Sequence, residues 1–193
     1  MKPLVFWIVF ASLILNGVSV VLSIVRPDLR IWPPPRKGSW QFVCNGILSY
    51  TGMLGVVVLG IIDWNSFILT HWARFPIGGL LMAAGGSFAL WGFTTLGVHA
   101  SQGLGGELVR TGPYRYSRNP QYVGTVPVLI GYAILCNSGV ALVAAVLASG
   151  WFVLVPFAEE PWLREQLGAP YEEYATQVPR FLSSRRGRKR RAA

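Results

Sequence analysis

The sequence predicts an all-α integral membrane protein with five transmembrane helices. Of its 193 residues, 52% are hydrophobic and 13% are charged, whereas soluble domains carry roughly 25% charged residues. The apolar residues fall into five blocks, each near the ~20 residues that a helix needs to cross a bilayer. These blocks cover about 4–25, 42–62, 75–96, 120–136 and 140–158. We expect one domain over 1–182, followed by a disordered basic tail at 183–193.

The first span carries polar side chains that we expect to face other helices, because polar groups facing lipid are costly. They are Ser12, Asn16, Ser19 and Ser23. The segment 26–40 holds three consecutive prolines, which predicts an extended loop. Its two tryptophans, Trp32 and Trp40, fit the aromatic belt at a membrane interface.

Small residues in the later spans predict close helix packing. They are Gly46, Gly52, Gly55 and Gly60 in span two, the patch 83–87 in span three, and Ala141, Ala144, Ala145, Ala148 and Ser149 in span five. We also expect gaps at Gly46, Gly52 and 83–87 to admit an acyl or prenyl chain. The turn 137–139 predicts a tight helical hairpin between spans four and five.

Charge distribution predicts the orientation. Fifteen of the seventeen Lys and Arg residues lie in the loop after span one, the segment after span three or the C-terminal region, all on one side of the membrane. The positive-inside rule places that side in the cytoplasm and the N-terminus outside.

The stretch 111–124, TGPYRYSRNPQYVG, is the most distinctive polar segment. Asn119 is a favourable helix N-cap, and Pro120 suits the first helical position. Arginines gathered before a helix start suit an anion, and tyrosine ring faces suit a cation. The arginines are Arg110, Arg115 and Arg118, and the tyrosines are Tyr114, Tyr116 and Tyr122. Together they predict a site for a zwitterionic or sulfonium ligand.

The acidic pair Glu159-Glu160 ends the fifth block, where ionised groups are costly unless paired. One carboxylate would bind a ligand near Arg118; alternatively the pair forms salt bridges to Arg115, Arg118 or Arg164. Beyond it, we expect a break at 168–170 and a short amphipathic helix over about 171–177 that lies on the membrane surface.

Other ligand classes have weaker support. The two cysteines, Cys44 and Cys136, lie in separate blocks, and no metal-ligand spacing is present, so we expect no metal. Six of the seven residues 185–191 are basic, which fits anionic lipid headgroups. No nucleic-acid-reading module lies beside them, so nucleic acid is not an expected partner.

The segment GELVRTGPYRYSRNPQYVG, followed by EEPWLREQLGAPYEEYATQVPRFL, resembles the isoprenylcysteine carboxyl methyltransferase and phospholipid methyltransferase family. The resemblance covers about 97–182 and includes both motif boxes with a hairpin between them. It implies S-adenosylmethionine as cofactor, in a cytoplasmic pocket formed by the loop before the fourth helix and the C-terminal region. The implied activity is methyl transfer to a lipid-like or prenylcysteine-type acceptor.

The resemblance also implies the site residues. The cofactor would contact Glu107, Leu108, Val109, Tyr114, Asn119, Pro120, Tyr122 and Glu159. We assign catalytic roles to Arg118, Tyr122 and Glu160, with Tyr122 or Glu160 accepting a proton where the acceptor must lose one. His99 is a further candidate base.

Two positions depart from the family pattern. Asn119 replaces the histidine of the box, and an amide does not titrate. Val155 stands where carboxyl methyltransferases carry a substrate-contacting arginine, which argues against a prenylcysteine carboxylate. The alternatives are an NADPH-dependent membrane reductase of the sterol type and a non-catalytic lipid-binding protein.

Overall fold

The structure is a computed structural model that describes residues 2–182; the predicted disordered, lipid-binding tail lies outside these residues. Over this range the chain is helical, without strands. The helices are α1 (Lys2–Val25), α2 (Trp40–Ile62), α3 (Arg74–Leu96), α4 (Val98–Ser101), α5 (Pro120–Cys136), α6 (Gly139–Leu167) and α7 (Ala169–Gln177). Single 3₁₀ turns occur at Pro27–Leu29 and Gly112–Arg115.

Four helices, α1, α2, α3 and α6, are long and apolar enough to cross a membrane. The fifth, α5, is apolar but has only 17 residues, or ~25 Å at 1.5 Å per residue. The all-helical prediction is therefore confirmed for the described residues, with four candidate membrane spans, and a fifth crossing by α5 stays a prediction.

The fifth apolar block, 140–158, is part of a longer helix, α6. Helix α6 continues to Leu167, with Pro156 and Pro161 inside it, so the acidic pair lies within the helix. The break at Gly168 is confirmed, since its φ of +59° suits glycine.

The main apolar core lies between α1, α2 and α6, with α5 beside them. Its buried side chains are Val9, Leu13, Val56, Leu59, Leu129, Ala133, Ala141, Ala144, Ala145 and Ala148. The predicted alanine face of α6 is therefore confirmed as a packing face. The four polar side chains of α1 are also buried, at 4–7% exposure, so the prediction that they face protein is confirmed.

Helices α3 and α5 pack backbone to backbone through glycines spaced seven residues apart. A Cβ at Gly78 would lie 2.6 Å from the carbonyl oxygen of Gly131, and one at Gly85 would lie 2.5 Å from that of Gly124. This spacing keeps the two helices aligned along several turns.

Two glycines at the expected chain-admitting gaps are in close contact. A Cβ at Gly85 would meet α5, and one at Gly52 would meet the side chain of Leu13. Gly46 is half-buried, and nothing lies within 4 Å of a Cβ there. Entry of an acyl or prenyl chain stays a prediction.

The hairpin between α5 and α6 is confirmed. Asn137 adopts a left-handed conformation with φ of +50°. Its side-chain amide donates to Asn65 Oδ1 and to the carbonyl of Phe67, at 2.9 and 3.0 Å. The Ser138 hydroxyl accepts from the Ala141 amide, which caps α6.

A leucine at Gly85 should destabilise the protein, because its side chain would enter the α3–α5 contact. We expect a loss of about 1–3 kcal/mol, as for other overpacked sites, measured by thermal unfolding in detergent. Gly79→Leu is the matched control on the same helix, since nothing lies within 4 Å of a Cβ there. Equal melting temperatures for the two variants would contradict this packing.

Candidate active site

The segment before α5 is joined to the C-terminal region by hydrogen bonds. The Arg118 amide donates to the Pro179 carbonyl at 2.9 Å. The Arg180 carbonyl accepts from the Ser117 hydroxyl and from Asn119 Nδ2, at 3.2 and 3.0 Å. The segment before α5 and the segment after α7, about 60 residues apart in the sequence, are thus held against each other.

Further contacts extend this junction along α7. The Tyr174 hydroxyl donates to the Tyr114 carbonyl at 2.8 Å, and Arg110 Nη2 donates to the Pro170 carbonyl at 2.6 Å. Tyr171 and Tyr174 are buried, at 3% and 4% exposure. The predicted helix is confirmed, with its aromatic side packed inward, and its placement on the membrane surface stays a prediction.

Glu160 lies at the centre of this junction and is 2% exposed. Arg180 binds it with two hydrogen bonds of 2.7 and 2.8 Å. Arg118 Nη1 lies 3.0 Å and Arg164 Nη2 lies 3.5 Å from its carboxylate oxygens. We call these four residues the Glu160 cluster. The hydrogen bonds to Glu160 raise the pKa of Arg180.

A cavity with an empty volume of about 780 Å³, including its open part, lies beside the Glu160 cluster. Its walls come from 96–109, 114–122 and 159–174. The charged side chains among its lining residues are Glu107, Arg118 and Glu159.

Glu159 is held in the cavity wall by two donors. The Tyr122 hydroxyl donates to its Oε1 at 2.6 Å, and the Trp32 indole nitrogen donates to the same atom at 2.7 Å. Both bonds end on Oε1, so Oε2 takes a bond from neither donor. Trp32 is fixed in turn by the Ser23 hydroxyl, which accepts from the amides of Ile31 and Trp32 at 3.0 Å each.

Arg118 belongs to the Glu160 cluster and also lines the cavity. Its Nε and Nη1 are buried without a hydrogen-bond partner among the described residues, although Nη1 forms the ion pair with Glu160. Buried donors usually find a partner, so the Arg118 guanidinium is a candidate to bind an anionic group.

Tyrosines supply neutral aromatic surface around these charges. Burial raises the pKa of Tyr114 and that of Tyr171 to about 12, so both phenols are protonated at neutral pH. Gln121 Nε2 donates to the Tyr114 hydroxyl at 3.2 Å. The ring faces are therefore fixed and uncharged, as cation–π contacts require.

A glycine-rich loop closes one side of the cavity. Gly103, Gly105 and Gly106 line it and have φ values of +70°, +84° and +152°. Side chains other than glycine are disfavoured in these conformations, and glycines let a ligand approach the backbone closely.

A sequence model of the phospholipid methyltransferase family matches residues 73–169, about half of the chain.

The chain belongs to the phospholipid methyltransferase family.

The matched segment runs from the start of α3 to the start of α7 and includes the acidic pair and most of the cavity wall.

A second comparison matches a reductase. The steroid 5-alpha-reductase DET2 of Solanum lycopersicum is 27% identical over 120 residues, which cover 62% of this chain and 44% of that protein. The chain thus spans less than half the length of this relative. No solved structure matches the chain.

The structure gathers most of the site residues predicted for this methyltransferase family member. Among the predicted residues, the following line the cavity: Glu107, Leu108, Val109, Tyr114, Arg118, Asn119, Tyr122 and Glu159. Pro120 and Glu160 are not among its lining residues. Pro120 begins α5 as predicted, and Glu160 forms the predicted alternative, salt bridges to Arg118 and Arg164.

Several expectations about individual side chains are wrong. Asn119 precedes α5, but its side chain makes no capping bond because it donates to Arg180. Tyr116 is 53% exposed, and Arg115 packs over its ring, so neither contributes to the cavity. His99 bonds at 3.3 Å to the Gly105 carbonyl and helps to shape the glycine loop.

Sequence reasoning missed three contributors. Trp32 was expected at the membrane interface, but its indole turns inward to Glu159. Tyr171 and Tyr174 had a detectable signal, namely two aromatic residues on one face of a helix beside a motif rich in tyrosine. The bond from Trp32 to Glu159 spans 127 residues and leaves no local pattern in the sequence.

Replacing Glu160 by alanine should destabilise the protein, because Arg118 would keep its charge at 12% side-chain exposure. Breaking a fully buried pair costs about 3–5 kcal/mol. We expect about 1–3 kcal/mol here because Arg164 and Arg180 are partly solvated. Thermal unfolding measures the loss, with the exposed Glu165→Ala on the same helix as control. Equal stability of both variants would refute a structural role for Glu160.

Proposed function

We propose that this protein transfers a methyl group from S-adenosylmethionine to a lipid-like acceptor. The observation that carries the proposal is one cavity whose lining brings the Arg118 guanidinium and the Glu159 carboxylate together with tyrosine rings. Membership of the phospholipid methyltransferase family supports the same reaction class.

The residues fit the chemical groups of this donor. The amino-acid end of S-adenosylmethionine has a carboxylate, which suits Arg118, and an ammonium group, which suits Glu159 Oε2. The rings of Tyr114 and Tyr122 suit the positive sulfonium. Glu107, Leu108 and Val109 would lie along the rest of the molecule. When bound, the donor supplies a methyl group on a positively charged sulfur, which is an activated leaving group.

The chain's own residues would act mainly by binding and orientation. Arg118 and Glu159 fix the two ends of a zwitterion, and the buried tyrosines exclude water from the reacting atoms. We reassign Glu160 from proton acceptor to positioning residue, because its carboxylate is occupied by arginines. Tyr122 donates to Glu159 inside the cavity. With Oε2 bound to the ammonium group, both oxygens of Glu159 are occupied, so an amine or thiol acceptor would lose its proton to water.

The surroundings of Val155 bear on the acceptor. Val155 is fully buried with Val20 and Ala158, beside the Tyr122 ring. Val155 offers no positive charge to the carboxylate of an acceptor. We therefore favour an acceptor whose nucleophile is an amine or a thiol. Its apolar body would lie among the helices.

We further propose that the cavity faces the cytoplasm. The described basic residues of the Glu160 cluster and of the loop before α2 lie at the same ends of the helices, since Trp32 of this loop contacts Glu159. The positive-inside rule assigns these ends to the cytoplasm. The tail 183–193 would then bind anionic headgroups of the inner leaflet.

The similarity to a steroid 5-alpha-reductase favours a second candidate, an NADPH-dependent reductase. Calorimetry with each cofactor separates the two. The methyltransferase proposal predicts heat of binding with S-adenosylmethionine or its demethylated product and none with NADPH. Binding of NADPH without binding of S-adenosylmethionine would contradict the methyltransferase proposal and support the reductase.

Glu159→Ala should weaken S-adenosylmethionine binding by about tenfold or more, the value of one hydrogen bond to a charged group. The variant should still fold, because its carboxylate is not part of the Glu160 cluster. Calorimetry gives the affinity and a melting curve checks the fold, with Glu165→Ala as control. Wild-type affinity in Glu159→Ala would remove this residue from the site.

Transfer of radiolabelled methyl groups into a membrane lipid extract tests the catalytic step. We expect labelled product with the wild-type protein and, relative to it, about a tenfold or greater loss with Tyr122→Phe, which keeps the ring but removes a donor to Glu159. Cofactor binding without any labelled lipid would favour the non-catalytic lipid-binding protein.

A further inference from the structure

A second, smaller cavity lies between α1, α2 and α6, far from the helix ends. Its empty volume is about 310 Å³, including its open part, and seven residues line it. Three of them bear polar groups: Asn16 of α1, Ser49 of α2 and Trp151 of α6. Each is nine or more residues from either end of its helix, or ~14 Å at 1.5 Å per residue. We call this the intramembrane cavity.

Two residues that line the intramembrane cavity, Asn16 and Trp151, each have a polar atom whose hydrogen bond is not made. Asn16 is 4% exposed and donates through Nδ2 to the Ser49 hydroxyl at 3.0 Å. Its Oδ1 is buried without a partner among the described residues, and so is Trp151 Nε1. One atom is an acceptor and the other is a donor.

Unmade hydrogen bonds are costly at this depth, because lipid offers no replacement for water. The remaining lining residues, Leu13, Met53, Ala148 and Phe152, are apolar. A fitting ligand therefore has an apolar body and one group that both donates and accepts. An alcohol meets this requirement, because its hydroxyl donates to an amide oxygen and accepts from an indole N–H. An ether or a hydrocarbon does not meet it.

We propose that the intramembrane cavity binds an uncharged, membrane-soluble alcohol, with its hydroxyl between Asn16 and Trp151. The site is separate from the methyl-transfer cavity. Trp151 and Phe152 stand between the two, with the Tyr122 ring 6.4 and 5.6 Å from their ring centroids. The proposal rests on the unpaired atoms and not on the proposed reaction.

Binding of radiolabelled 1-dodecanol to the full chain in nanodiscs tests this proposal, with competition by unlabelled dodecanol, dodecyl methyl ether or dodecane. We expect dodecanol to compete about fivefold to tenfold better than the ether, which accepts but does not donate, and better still than dodecane. Equal competition by all three would overturn the proposal and leave a cavity that holds water.

Two variants separate the hydroxyl contacts from general partitioning. Trp151→Phe removes the indole donor without depriving any described acceptor of a bond, so we expect a normal melting curve and about fivefold weaker dodecanol binding. Asn16→Leu should give a similar or larger loss. Trp7→Phe, at a residue 68% exposed on α1, should bind like the wild type. Unchanged binding in a folded Trp151→Phe variant contradicts the site. No cofactor is used, so this outcome is independent of the proposed methyl transfer.

Discussion

A buried carboxylate between three arginines is the interaction on which the site depends. Glu160 connects α6 to Arg118, in the segment before α5, and to Arg180, beyond α7. Without it, these segments would place like charges together in a poorly solvated space. The Glu160 cluster thus supplies the attraction that closes the cavity. Arg164 also pairs with Glu172, so three arginines face two carboxylates, and one positive charge remains available to a ligand.

The neighbouring Glu159 has a different environment for a geometric reason. Successive residues on an α-helix point about 100° apart, so one carboxylate of the pair faces the Glu160 cluster while the other faces the cavity. Trp32, from the loop after α1, and Tyr122, from α5, both donate to the carboxylate of Glu159. Because the loop carrying Trp32 is fixed by Ser23, the polar face of α1 contributes indirectly to the site.

Much of the fold was predictable because hydrophobic blocks and helix-breaking residues are local signals. Gly168 ends α6 and Pro120 begins α5, each within the expected boundaries. Helix α6 extends past the apolar block at 158 and contains Pro156 and Pro161. In a long helix, however, apolar packing offsets the hydrogen bonds that prolines remove.

The site was predictable to the extent that its residues lie in two short motifs. Arg118, Tyr122 and Glu159 were found in this way, whereas their pairing was not. The family resemblance assigned the cofactor contact to Glu159, whereas charge alone did not distinguish Glu159 from Glu160, since the two carboxylates are adjacent in the sequence. Asn119 illustrates the same limit, because its local preference for capping α5 is overridden by the long-range bond to Arg180.

Photocrosslinking with radiolabelled S-adenosylmethionine, followed by peptide mapping, tests most directly whether the two distant stretches form one binding site. Our account predicts label on peptides from 107–122 and 159–174, and loss of that label when excess unlabelled S-adenosylmethionine is present. Label confined to other segments, or label that excess cofactor does not suppress, would contradict it.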